Sequence, residues 1–274
     1  MLSFTVHFKF FDCPVCVQTD SEQILQALDL AYQYHSIPES LSIDECRLKY
    51  RIEQAKSTPF VILSEQADPV SCKDPSTCLF EFEQLMVVAL QRARPEAFFI
   101  HCAVLEYQGQ FIALVASSGA GKSTTSWGLL HHGFNYLTDE MCAVDPRSLH
   151  IDCLTHALSL KQRPTRYALP ASTLYGSRSL LVPVADLPGV FHGTPGRLAK
   201  IFYIQYDAQG ARASAEPISV AESCARLYAN GLNQLAHANL GLDPAQRIAE
   251  SVQSYRVVCT ELGETSRLLR DLCA

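Results

Sequence analysis

Phe111-Ile-Ala-Leu-Val115-Ala116-Ser117-Ser118-Gly119-Ala120-Gly121-Lys122-Ser123-Thr124 joins an apolar run to a glycine-rich turn that closes on Lys-Ser. Unbroken apolar residues bounded by a turn fit a strand buried on both faces. The turn fits the phosphate-loop pattern G-x-x-x-x-G-K-[ST] except at its first position, where Ala116 replaces Gly. Gly119 and Gly121 allow backbone N–H groups to turn inward on phosphate oxygens, and the helix that follows adds its positive end. Ser118, Gly119, Ala120, Gly121, Lys122, Ser123 and Thr124 are therefore the expected binding residues for a nucleoside triphosphate. Lys122 would reach the β- and γ-phosphates, and the Ser123 hydroxyl would ligate Mg²⁺.

Working outward, Phe98–Leu105 and Phe111–Ala116 are apolar runs separated by Tyr107-Gln-Gly-Gln110, a hairpin signal. A helix is expected at about 123–132, ending at Gly133. Asp139-Glu140 follow an expected strand at Phe134–Leu137, and an acid there could hold Mg²⁺ or take a proton from an attacking hydroxyl. His101 lies on an apolar strand, where a lone His is usually a satisfied core residue. Strands are further expected at 141–145, 150–160, 200–206 and 254–259, with helices at 219–237, 243–253 and 263–272.

Residues 1–95 read as a small α+β unit and 96–274 as a second, strand-rich unit. In the first, strands are expected at Ser3–Phe10, Arg47–Ile52 and Pro59–Leu63. Helices are expected at 22–35, with Ser21 as N-cap, and at 79–94. No chemistry-bearing constellation is evident there, which leaves it as a substrate or partner platform. The net charge of −6 excludes a general nucleic-acid binder held by phosphate contacts, and 48% hydrophobic against 18% charged residues over 274 positions excludes a disordered chain. No run approaches the length of a membrane span, and Met1–Cys13 lacks a signal peptide's basic flank, so a cytoplasmic protein is expected. The odd count of 11 cysteines points to reduced thiols, and Cys13-Pro-Val-Cys16 has no second pair to complete a zinc site. Lys161, Arg163, Arg166, Arg178, Arg197 and Lys200 crowd a segment holding only Asp186 in opposition. That segment is either an anion site or solvated loop charge.

Several of these stretches together resemble the HPr kinase/phosphorylase family. They are His101-Cys-Ala-Val, Gln110-Phe-Ile-Ala-Leu-Val, Ser118-Gly-Ala-Gly-Lys-Ser, Leu130-His-His-Gly-Phe and Leu137-Thr-Asp-Glu140. Leu158-Ser-Leu-Lys161, Ile201-Phe-Tyr-Ile, Glu216-Pro-Ile-Ser and Ser254-Tyr-Arg-Val are similar to its HPr-kinase-related subgroup, so the resemblance spans about 96–272. It implies a phosphoenolpyruvate-carboxykinase-like P-loop kinase domain, an α/β fold with a mixed twisted sheet and flanking helices. It also implies Mg²⁺-dependent transfer of the γ-phosphoryl of ATP or GTP to a hydroxyl, on a peptide or protein serine or a small compound, in a homo-oligomer. By position, Asp139 matches the general base, His101 the histidine beside it, Lys122 the phosphate group, and Ser123 and Glu140 the metal groups. Lys161, with an arginine of 163–197, would neutralise the moving phosphoryl. Glu140 stands in place of a second Asp and Cys102 in place of Gly, and no Gly-rich signature of phosphorolysis is present. A nucleotide-binding regulator without transfer, and a small-molecule kinase or NTPase, are the alternatives.

Overall fold

The structure, a computed structural model, describes residues 4–37, 41–54, 59–117 and 119–274. The alternating start of the chain forms β1 (Phe4–Phe10), which pairs antiparallel with β2 (Cys13–Thr19). Then come α1 (Glu22–Tyr32), β3 (Leu48–Glu53), β4 (Phe60–Ser64), β5 (Val70–Cys72) and α2 (Pro75–Ala93). The five strands make one sheet in sequence order, with only the β2–β3 pair parallel. Ser21 caps α1 as expected, its Oγ accepting from Ile24 N at 3.4 Å. The second helix begins at Pro75, earlier than its apolar spacing suggests, because Asp74 Oδ1 accepts from Thr77 N at 2.7 Å and Pro75 suits the first helical position. The Cys13-x-x-Cys16 pair lies within β2, where a spacing of three residues sends the two thiols to opposite faces.

The chain continues through β6 (Phe98–Ile100), β7 (Cys102–Tyr107), β8 (Gln110–Val115), α3 (Lys122–Leu130) and β9 (Asn135–Thr138). Next come β10 (Cys142–Val144), β11 (Ile151–Cys153), β12 (Leu158–Leu160), β13 (Leu174–Tyr175) and β14 (Leu180–Val182). The last elements are β15 (Leu198–Tyr206), β16 (Ser214–Pro217), α4 (Val220–Asn230), α5 (Leu242–Ser251), β17 (Gln253–Cys259) and α6 (Leu262–Asp271). The expected strand over 98–105 is two strands broken at His101, and the one over 150–160 is also two. The helix expected over 219–237 stops at Asn230. Beyond it, Asn233 turns its side chain to β6, accepting from Phe99 N at 3.0 Å and donating to Ala97 O at 2.8 Å.

The central sheet runs β16-β17-β15-β8-β7-β9, parallel from β17 through β8 and antiparallel at its flanks. It is covered on both faces. Phe111, Ala113 and Val115 of β8 pack with Leu227, Ala245 and Ile248 of α4 and α5 and with the β6-β10-β11 sheet. Ile112 and Leu114 pack with Trp127 and Leu130 of α3, Leu269 of α6 and the β12-β14-β13 sheet. Double coverage explains why β8 is apolar at every interior position. The third core holds α1 and α2 against the first sheet, and it includes Phe99, Met141, Ala143 and Leu154 from beyond residue 95. No helix among the described residues is long and apolar enough to cross a membrane.

Candidate active site

The loop after β8 turns sharply into α3. Gly119 and Gly121 take φ of 86° and 99°, angles that side chains rarely adopt. Ala116, in the position usually held by Gly, has no positive φ. Ser118 lies outside the described residues. Gly121 caps α3, and Lys122, Ser123 and Thr124 form its first turn, with Ser123 and Thr124 partly exposed. Lys122 is buried, its Nζ donating to Ala116 O at 3.0 Å, and burial above all lowers its affinity for the proton. A Cβ placed on Gly119 would lie 3.9 Å from Lys161 Nζ, so the lysine that follows β12 reaches the loop.

His101 sits where the chain crosses from β6 to β7, its backbone N bonded to Asn230 O at 3.0 Å. Its Nε2 lies 3.9 Å from Glu140 Oε2. Burial first, then the Lys122 ammonium, brings its pKa down to about 4, which leaves a neutral imidazole at pH 7. Glu140 is half-buried, and burial followed by the charge of Glu83 pushes its carboxyl up to about 7.

Asp139, at the end of β9, is 3% exposed. Its Oδ1 accepts from Tyr136 Oη at 2.7 Å and its Oδ2 from Ser159 N at 3.2 Å. His156 Nε2 stands 3.3 Å from Oδ1, and His156 Nδ1 lies 3.6 Å from Glu83 Oε2. Glu83 also accepts from Tyr32 Oη at 2.7 Å. Burial alone would make His156 harder to protonate, but Glu83 and then Asp139 outweigh it and raise its pKa. His156 thus stands between the two carboxylates.

Lys122, His101, Glu140, Asp139 and Lys161 accordingly form one electrostatic neighbourhood at the end of β8. The basic segment does not converge as a unit. Arg166 pairs with Glu261 at 3.0 Å, Lys200 donates to Leu272 O at 2.6 Å, and Arg178 lies against α2. Glu83, Tyr32 and His156 carry no sequence signal at all. The first unit, expected to hold no chemistry, supplies two of them. Ser123 and Glu140 offer oxygen donors of the kind Mg²⁺ takes when phosphate oxygens and water complete its shell. Among the described residues no group of three or more His, Cys, Asp or Glu could hold a metal unaided.

No family model matches the chain, and no curated protein matches it. Among solved structures it is similar to the HPr(Ser) kinase/phosphatase from Coxiella burnetii, at 10% identity and a TM-score of 0.34, over 64% of this chain and 95% of that one. The likeness is distant, and the reading of the site rests on the geometry above.

Proposed function

We propose that the chain is a cytoplasmic kinase, its 96–274 part a phosphoenolpyruvate-carboxykinase-like P-loop domain, that transfers the γ-phosphoryl of ATP or GTP to a hydroxyl. One observation carries this reading: two positive-φ glycines and a buried lysine open α3 beside two acids, a neutral histidine and a second lysine. Loop amides from Gly119 to Thr124 would take the phosphate oxygens, aided by the positive end of α3. Lys122 would exchange the Ala116 carbonyl for the β- and γ-phosphates. Mg²⁺ on Ser123 and Glu140 would supply charge neutralisation. His101, uncharged, can orient the incoming hydroxyl. Its oxygen bonds to the γ-phosphorus as the bond from that phosphorus to the β–γ bridging oxygen breaks. The hydroxyl proton passes to Asp139, leaving a phosphate monoester and a nucleoside diphosphate. A carboxylate offers about four acceptor sites, and Tyr136, Ser159 and His156 approach Asp139 at three of them. Lys161 would neutralise the moving group.

Asp139→Asn is expected to lower turnover by about 10²–10³ or more, as loss of one such group does, with nucleotide affinity held within a few fold. Normal turnover in that variant removes the base assignment. The burial of Asp139 favours a second reading, a nucleotide-binding regulator without transfer. Labelled ATP separates the two: a kinase yields labelled acceptor, a regulator binds and yields none.

A further inference from the structure

Open α/β sheets bind ligands beyond the carboxyl ends of their parallel strands. At that edge the two flanks of β8 differ. His101 precedes β7, and Asp139 and Glu140 follow β9, so the histidine and both acids crowd the β7–β9 flank. The other flank is β15, which runs parallel to β8 with Tyr203 opposite Val115, the last residue of β8. Where β8 turns into the glycine loop, β15 continues through Ile204 and Gln205 to Tyr206. Phe202 and Ile204 lie in the core that also holds Trp127 of α3 and Leu269 of α6. Tyr206 follows in the same alternation and emerges on the α3 face. A Cβ placed on Gly121, the residue that caps α3, would lie 4.0 Å from Tyr206 Cβ. The ring is 58% exposed, and its side chain makes no hydrogen bond or ring contact with another described residue. Phe80 and Tyr34 are also exposed, but they rest on Arg178 and His192. Tyr206 is thus a bare aromatic ring beside the mouth of the loop, on the side away from the acids.

We propose that Tyr206 is the platform on which the base of a bound nucleoside triphosphate stacks. The inference rests on the kinase reading and adds to it which end of the nucleotide lies where. The terminal phosphate has to face Asp139, Glu140 and His101 on the β7–β9 flank. The triphosphate spans the loop, so its nucleoside end leaves on the β15 flank, over Tyr206. Every base has a π-face, and stacking on a ring ignores the hydrogen-bonding edges that tell bases apart. Tyr206 therefore selects a nucleoside triphosphate over an inorganic polyphosphate without choosing between adenine and guanine.

The test titrates the full chain with Mg²⁺-ATP and with Mg²⁺-tripolyphosphate, which carries the same run of phosphates and no nucleoside. The native chain is expected to bind ATP more tightly than tripolyphosphate. Tyr206→Ala should weaken ATP about 10-fold, a loss in the range of one base–ring stack, and leave tripolyphosphate unmoved. Tyr206→Phe keeps the ring and should keep the native affinity for ATP. An unchanged melting temperature in both variants, expected for so exposed a side chain, shows that the fold is intact. Equal ATP affinity in the native chain and Tyr206→Ala, tripolyphosphate weakened as much as ATP, or a loss in Tyr206→Phe as large as in Tyr206→Ala would overturn the proposal. Failure of the native chain to bind ATP at all would instead sink the kinase reading.

Discussion

At the scale of single residues, burial sets the charge states. His101 has its pKa brought from the ordinary 6.5 to about 4, so the folded state holds it unprotonated. A depressed value contributes stability that is full above pH 6.5 and is lost as pH falls through 4. The contribution is at most ~3.5 kcal/mol, since the shift is about 2.5 units and one unit of pKa corresponds to about 1.4 kcal/mol. Melting temperature should fall more steeply between pH 6.5 and 4 in the native chain than in His101→Gln. His156, whose shift runs the opposite way, is common to both proteins and cancels in the comparison. Parallel melting profiles would contradict the buried, neutral state. The glycine turn into α3 was legible in sequence, because the positive φ of Gly119 and Gly121 is a local matter of a few consecutive residues. Glu83 was not. It occupies a polar position on an amphipathic helix, and only the packing of α2 against the loop before β12 brings it to His156.

At the scale of elements, α3 is aimed by what lies behind it. Gly128 faces α6, and a Cβ there would come within 2.5 Å of Ser266 Oγ and 2.6 Å of Leu262 Cδ1. Ser266 is itself buried and donates to Leu262 O at 2.8 Å, so it cannot swing aside without losing that bond. Gly128→Ala should therefore destabilise the protein by about 1–3 kcal/mol, the usual cost of overpacking, and chemical denaturation would measure it. A variant as stable as the native chain would mean that α3 and α6 are looser than this contact implies. The β7–β8 hairpin was legible because Gln108 and Gly109 both need the positive φ that such a two-residue turn imposes. The break at His101 was not. Apart from His101 itself, Phe98–Leu105 is apolar, and only the second sheet, with β10 pairing Phe98–Ile100, claims half of it.

At the scale of the whole molecule, sequence composition suggests a division near residue 95. The packing crosses that line: Phe99, Met141, Ala143 and Leu154 sit in the same core as α1 and α2, and Glu83 reaches His156. Charge and motif content change along a chain without reporting which apolar faces meet, so this coupling was invisible before the fold was seen. A shared core predicts one cooperative unfolding transition in calorimetry, with van't Hoff and calorimetric enthalpies in agreement. Two resolved transitions would show the units to be independent. The central claim concerns the loop at the end of β8, and isothermal titration of the full chain with Mg²⁺-ATP and Mg²⁺-GTP tests it most directly. The account predicts saturable binding of at least one of them, weakened about 10- to 100-fold in Lys122→Ala by loss of a charged hydrogen-bond donor; no heat with either nucleotide, or equal affinity in that variant, would contradict it.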